Sequence, residues 1–334
     1  MKICVVGAGA IGGMLAVKLA AQGQQVSVVI RGANLKAVRA HGMKLIMDGT
    51  EQVAQVRATD RIADAGPQDV VILALKAHQL GTVAADLHAL MGPETVVVTA
   101  QNGIPWWYFE KLPGPYLGRR LESVDPGGVI AAHIDVARVI GAIVYPAAEI
   151  TSPGVIQHHE GNRFSLGELD GADTPRVRAI AQLLRDAGLK SPVLGDIRSE
   201  IWVKLWGNCT FNPLSALTHA TLVDICEFPL TRQLAADMMR EAQAIGEKLG
   251  VRFPVSLEKR IAGAQAVGKH KTSMLQDVEA GRPLELEALI GSVIELGRIT
   301  ETPTPNLSAI YACAGLLART LKDAGGRLRV EKTA

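Results

Sequence analysis

The rhythm of apolar and polar positions changes once along this chain, and the change divides it. Residues 2–6 (KICVV) form a short unbroken apolar run, followed at once by Gly7-Ala8-Gly9-Ala10-Ile11-Gly12. A helical pattern then occupies 11–22, with Ile11, Leu15 and Leu19 four apart and Ala16 and Ala20 beside them, and a second apolar run covers 26–30. That spacing predicts strand, helix, strand. The alternation continues with strands over 69–75 and 95–99, a helix over 79–91 between them, and an irregular stretch beyond Pro105. Strands are expected again near 139–145, 154–159 and 163–166, then a helix over 175–187 and a last short strand near 192–194. From Ile197 onward apolar residues recur at helical spacing through 199–211, 230–249, 255–267, 284–300 and 306–322, with Pro213, Pro229, Pro254, Pro283, Pro303 and Pro305 as punctuation. The expectation is an α/β domain over 1–196 and an all-α domain over 197–334.

The first turn carries chemistry. A G-x-G-x-x-G loop that follows a strand and opens a helix, in a βαβ unit of about 30 residues, is a dinucleotide-binding arrangement. Its first glycine permits the tight turn, its second lets a pyrophosphate approach the backbone, and its third lets helix and strand pack closely. The second strand ends in Ile30-Arg31-Gly32, with no carboxylate before Asp48. An arginine fork suits a ribose 2′-phosphate, whereas a bare 2′-hydroxyl needs an acidic acceptor there, so NADP(H) is expected over NAD(H). Lys76 and Asn102 also fall at the carboxyl ends of predicted strands, where open α/β sheets bind ligands.

Composition narrows the classes. The 334 residues are 48% hydrophobic and 20% charged, with a formal net charge of +2. That charge makes no electrostatic case for nucleic acid, and no basic stripe with interleaved aromatics occurs. The four cysteines, Cys4, Cys209, Cys226 and Cys313, are far apart and in no zinc or redox spacing, and no metal is expected. The start resembles a signal peptide, but Gly7, Gly9, Gly12 and Gly13 would spoil its apolar helix. With no uninterrupted run long enough to span a bilayer, the expected location is cytoplasmic and no membrane partner is expected.

In the helical half, the run 201–218 (IWVKLWGNCTFNPLSALT) carries Lys204, Asn208 and Asn212 four residues apart, which places all three on one side of a helix. Lysine is rarely buried without a partner. Either Lys204 reaches solvent along an otherwise apolar helix, or the stripe lines a cleft, and a cleft between domains is a usual substrate site. Ser273 and Glu285 also stand out, although a turn serine and a first-turn acid would explain them separately.

Taken together, G-x-G-x-x-G at 7–12, Arg31, LALKAHQ at 73–79, AQNG at 100–103, EIWVKLWGNCTFNPLSAL at 200–217, KTSMLQDVEAGRPLELEALIG at 271–291 and TPTPNL at 302–307 closely resemble the ketopantoate reductase (2-dehydropantoate 2-reductase) family, nearly end to end. The resemblance implies a Rossmann-type domain followed by an all-α domain of the 6-phosphogluconate-dehydrogenase-like kind. It implies that Gly7, Ala8, Gly9, Ala10, Ile11 and Gly12 hold the NADPH pyrophosphate, with Arg31, Lys76 and Gln79 near the adenosine phosphate. Asn102 is implied to lie by the nicotinamide ribose and the substrate. Lys204 is implied as proton donor, Asn208, Asn212 and Ser273 as substrate ligands, and Glu285 as a catalytic group that also contacts the cofactor. The implied reaction is reduction of 2-dehydropantoate to (R)-pantoate, a step towards pantothenate and coenzyme A.

Two departures bear on the substrate. Segment 113–140 reads as an insertion between two strands that either covers the active site, builds the contact of a homodimer, or decorates the surface. Ten residues after Asn212, where some members place another asparagine, stands Leu222, or Thr221 if the register slips. A different branched 2-oxo acid is therefore an alternative substrate, and a non-catalytic NADP(H)-binding sensor is the alternative from another class.

Overall fold

A computed structural model describes residues 1–326, so the last eight residues of the second expected domain lie outside the described residues. The chain forms two compact units, Met1–Ile197 and a second beginning at Arg198.

The first unit runs β1 (Lys2–Val6), α1 (Ala10–Ala21), β2 (Gln25–Val29), α2 (Gly32–His41), β3 (Met43–Met47), β4 (Thr50–Ala54), β5 (Arg57–Thr59), β6 (Gln68–Leu73), α3 (Ala77–Val83), β7 (Met91–Thr99), α4 (Val129–His133), β8 (Val139–Val144), β9 (Ala147–Ser152), β10 (Val155–Glu160), β11 (Phe164–Glu168) and α5 (Pro175–Asp186). Seven strands make one sheet in the order β11-β8-β7-β6-β1-β2-β5, parallel throughout except for the antiparallel β8–β11 pair. A second sheet, β4-β3-β10-β9, was not legible in the periodicity, because β9 and β4 are mostly exposed and carry few apolar residues. The expected helix over 79–91 is α3 followed by a 3-10 turn over Ala84–Leu90. The expected strand near 192–194 reduces to isolated bridges, Arg163 to Lys190 and Leu166 to Val193.

Helix α1 lies between the two sheets, and its residues from Gly12 to Val17 are all buried. A helix enclosed on all sides has no polar face to show, which is why its sequence is apolar around the whole circumference. Adjacent glycines let both sheets approach. A Cβ on Gly12 would sit 2.5 Å from the Gly7 carbonyl oxygen and 3.0 Å from a Val5 methyl, whereas one on Gly13 would meet the Ile156 Cδ1 at 2.5 Å and the Met43 Sδ at 3.1 Å.

Segment 113–140 lies, as expected, between two strands of the sheet. It belongs to the crossover that joins the parallel neighbours β7 and β8, and parallel strands require such a return of a dozen or more residues. Trp106, Trp107, Tyr108 and Phe109 ahead of it, and Leu121, Ile130 and Ile134 within it, are buried. The Trp107 indole donates to Thr99 Oγ1 at 2.9 Å, and Asp125 accepts from the backbone N–H groups of Ile130 and Ala131, which caps α4. The stretch is irregular and mostly exposed over 113–120, and it is anchored by the buried Leu121, Val124, Ile130 and Ile134.

At the far edge of the sheet Glu168 is almost fully buried and pairs with Arg176 of α5: Arg176 Nε donates to Oε1 at 2.7 Å and Nη2 to Oε2 at 2.5 Å. Burial alone would raise the Glu168 pKa, but the Arg176 and Thr174 hydrogen bonds and the Arg176 charge outweigh it and hold the carboxyl below its ordinary value.

The second unit contains α6 (Ile197–Thr218), α7 (Leu222–Glu227), α8 (Pro229–Lys248), α9 (Leu257–Ala266), α10 (Ser273–Glu279), α11 (Ser292–Ile299) and α12 (Pro305–Asp323), with a π-helical turn over Glu287–Gly291 leading into α11. Pro229 and Pro305 stand at helix starts, where a missing N–H costs nothing. Pro213 does not punctuate as expected but sits inside α6. It forgoes one backbone bond, and the burial of Phe211, Leu214 and Ala216 around it carries the helix through. No helix among the described residues is long and apolar enough to cross a membrane.

Two stability tests follow from these contacts. Gly12→Ala, which presses on backbone, should cost about 2 kcal/mol. Gly13→Ala, which displaces the ends of flexible side chains and gains helix propensity, should stay within about 1 kcal/mol of wild type, both read by thermal or urea unfolding. Glu168→Gln should lose about 2 kcal/mol at neutral pH, less than a fully buried pair because Arg176 keeps 31% of its side chain exposed. Because Glu168 ionises more readily folded than unfolded, its contribution is present above the unfolded carboxyl pKa. The gap between wild type and variant should therefore close as pH falls through the lowered Glu168 value.

Candidate active site

In the first unit the expected cofactor residues fall at the carboxyl ends of four adjacent strands, β7, β6, β1 and β2. Gly7 takes φ 89°, and its N–H and that of Ala8 both donate to the Val29 carbonyl, at 3.1 and 3.3 Å. This locks the loop between β1 and β2. The space in front of Gly9 is open, since a Cβ built there meets nothing within 4 Å. The first intrahelical bond runs from Gly13 to Gly9, so the N–H groups of Ala10, Ile11 and Gly12 have no helical partner and face out of the helix start. An open glycine beside unpaired donors at a helix N-terminus is the arrangement that holds a pyrophosphate. Two of the glycine roles read from the motif are visible in the backbone: the turn at Gly7 and the tight helix–strand packing at Gly12.

Arg31 is exposed at the N-cap position of α2, directly after β2. Lys76 precedes α3, and its backbone N–H donates to Gln79 Oε1 at 3.2 Å, so the Gln79 side chain closes the turn at this strand end. Asn102 is half-buried after β7, beside Gly103, whose φ of 87° turns the chain.

In the second unit α6 is fixed by its apolar side. Trp202, Leu205 and Trp206 are buried, the Trp206 indole donates to the Met239 carbonyl at 2.7 Å, and its ring lies 4.7 Å from that of Phe253. The other side presents Lys204 and Asn208, both half-buried, and Asn212, which is buried. Thr272 caps α10 by accepting from the Leu275 N–H, which sets Ser273 at the first helical position. There Ser273 Oγ accepts from Asn212 Nδ2 at 3.3 Å.

Lys204 is electrostatically poised. Burial lowers its pKa from the ordinary lysine value to about 8, and the Glu285 carboxylate pulls in the opposite direction. Glu285 stands one residue ahead of the helical turn that begins at Leu286, just before the π-helical turn. The loop that delivers it is pinned by Asp277, whose Oδ1 accepts from Arg282 Nε at 2.8 Å, while the Arg282 N–H donates to the Asp277 carbonyl at 2.8 Å. Neither Thr272 nor the Asp277–Arg282 pair was singled out from the sequence. The threonine ahead of an apolar run was the available signal for the cap, and the pair carries none. Leu222 opens α7 with its N–H on the His270 carbonyl, and the Thr221 hydroxyl is engaged with Asp224, so neither offers a free polar group.

Comparison with known proteins bears on this arrangement. The family described as "Ketopantoate reductase PanE/ApbA" matches residues 3–171, and its "C terminal" companion matches residues 196–318. The chain belongs to the ketopantoate reductase family. A relative from Mesorhizobium japonicum named 2-dehydropantoate 2-reductase is 55% identical over 95% of this chain and 98% of its own. A crystal structure from Ralstonia solanacearum, described as a candidate ketopantoate reductase, is 44% identical with a TM-score of 0.92 and covers 96% of this chain and 98% of its own. D-mandelate dehydrogenase, solved with NADH and anilino(oxo)acetate, shares the fold at 19% identity, with a TM-score of 0.83 over 96% of this chain and 99% of its own. The first of these matches lies within the Rossmann-type first unit, and its companion covers most of the helical second unit.

The electrostatic pairing can be measured without substrate. In Glu285→Gln the opposing carboxylate is gone, so the Lys204 pKa should fall below 8. Heteronuclear NMR titration of the lysine side chain reads it directly, with Lys204→Met to assign the signal.

Proposed function

We propose that this chain reduces 2-dehydropantoate to (R)-pantoate with NADPH, using Lys204 as the proton donor. The observation that carries the reading is a lysine brought by burial to a pKa of about 8, on a helix stripe shared with two asparagines and beside a carboxylate. The name of the relative from Mesorhizobium japonicum supports the substrate. The first unit's Gly7–Gly12 loop would hold the cofactor pyrophosphate, Lys76 and Gln79 would lie along the adenosine end, and Asn102 would reach the nicotinamide ribose. A nicotinamide cofactor bound there supplies hydride to the 2-oxo carbon.

The second unit's residues would do the rest. The Lys204 ammonium would stabilise the charge growing on the ketone oxygen and pass it a proton from Nζ, leaving a neutral amine that is re-protonated from water. Asparagine amides both donate and accept, so Asn208 and Asn212 would hold ketone and hydroxyl forms alike. Ser273 would bind the carboxylate. Glu285 would keep enough of Lys204 protonated at neutral pH and would touch the nicotinamide side. Arg31 is exposed where a ribose 2′-phosphate would need a cation, and no acidic residue replaces it, which supports NADPH over NADH. We place the protein in the cytoplasm, in keeping with four cysteines that are all free.

Leu222 favours one second reading, a related 2-oxo acid with a less polar tail. Turnover of a panel of branched 2-oxo acids, followed by NADPH consumption, separates the two. Preference for 2-dehydropantoate supports the first, preference for an apolar analogue the second, and tight NADPH binding without turnover would leave a sensor. Because the ammonium is the active form, kcat/KM should be level below pH 8 and fall above it. Lys204→Ala should lose about 10²–10⁴ of the rate while its NADPH affinity stays unchanged. Arg31→Ala should weaken NADPH by about tenfold or more and leave NADH nearly unaffected, as read by fluorescence titration of each.

A further inference from the structure

We propose that Tyr311 is a positioning residue: through Glu287 it holds the π-helical turn that follows Glu285, and so keeps the Glu285 carboxylate directed at Lys204. The inference rests on the reading of Lys204 as proton donor, and it adds a residue of α12 that acts through the carboxylate beside that lysine.

A π-helical turn carries one residue more than the α-helix around it. At Glu287–Gly291 the N–H of Ser292 reaches back five residues to the Glu287 carbonyl. The Ala288 carbonyl, the α-helical partner of that N–H, accepts from the buried Ser292 hydroxyl at 2.8 Å. The backbone is thereby satisfied in its wide form. Relaxation to ordinary α-helical winding would turn everything ahead of it by about 100° relative to α11. Glu285 lies two residues ahead of Glu287, so its carboxylate would be carried off its present direction.

The Glu287 side chain ties the turn to another helix. Its Oε1 accepts from the hydroxyl of the half-buried Tyr311 at 2.5 Å. Gly291 makes room for the pair, since a Cβ there would collide with Glu287 Oε2 and stand 3.5 Å from the Tyr311 ring. Burial and the Glu287 carboxylate push the Tyr311 pKa up to about 12, against the smaller influence of Arg298 on α11, so the hydroxyl remains a donor at working pH. The start of α12 is fixed in turn, because the Glu241 carboxylate of α8 accepts from the N–H groups of Asn306 and Leu307 at 2.9 and 3.0 Å. Burial and Glu285 set the Lys204 pKa, so Glu287 reaches the lysine by position and not by its own charge.

NMR titration of Lys204 in the substrate-free chain tests this apart from the reaction. Tyr311→Phe removes a hydroxyl and no charge, and the Lys204 pKa should fall, by no more than in Glu285→Gln. Glu287→Gln keeps an acceptor for Tyr311 and should match wild type, whereas Glu287→Ala should reproduce Tyr311→Phe. Gly291→Ala displaces the Glu287 carboxylate while favouring helix, so it should shift Lys204 the same way and replaces Tyr311→Phe if that variant folds poorly. A chain that turns over no 2-oxo acid overturns the reaction but leaves this titration valid. An unchanged Lys204 pKa in folded Tyr311→Phe or in Gly291→Ala overturns the positioning role. So does a Glu287→Gln shift as large as that of Glu287→Ala, because charge alone would then be acting.

Discussion

Everything in the first unit hangs on one helix held between two sheets. α1 can approach the seven-stranded sheet because Gly12 has no side chain to meet the Gly7 backbone, and at Gly13 it packs closely on the Ile156 and Met43 side chains of the four-stranded sheet. The same Gly12 closes the loop whose Gly9 is open to a ligand, so packing and ligand access are consequences of one backbone path. Burying α1 on both sides removes seven of its residues from water, and it fixes the start of the helix relative to the ends of β1, β2, β6 and β7. A dinucleotide loop needs that rigidity, because donors on a mobile loop would have to be ordered again at every binding event.

The second unit solves a different problem: holding an ammonium where water is scarce without driving it neutral. Desolvation pushes Lys204 down and Glu285 pushes it back, leaving a group that titrates near working pH. The two large indoles of α6 anchor the helix from behind, and two local devices present the polar partners: the Thr272 cap for Ser273, and the Asp277–Arg282 pair for the loop before Glu285. The π-helical turn that follows Glu285 adds a residue to the turn, a distortion found frequently at functional positions.

Large apolar side chains are exposed in both units. The aromatic cluster at 106–109 looked like loop in the pattern of the chain but is core, because a parallel crossover must return across the sheet and bury whatever it carries. α12 looked like an ordinary amphipathic helix, yet most of its apolar residues lie outside the buried stripe.

What the sequence by itself determined is the part governed by local periodicity and turn chemistry. The βαβ start, the roles of Gly7, Gly9 and Gly12, the change to helices near 197, and the alignment of Lys204, Asn208 and Asn212 all follow from spacings of two, three or four residues, which the backbone converts directly into faces and turns. What only the tertiary structure decided involves partners far apart in the chain. The second sheet joins β3 to β10, more than a hundred residues later, and is flanked by β4 and β9, which are too exposed and polar to announce themselves. Pro213 sits mid-helix because burial there outweighs one lost bond. Asn212 meets Ser273 across 61 residues, and the pKa of Lys204 depends on a carboxylate 81 positions away, since a side chain's field is set by what folding brings near it and not by its neighbours in sequence.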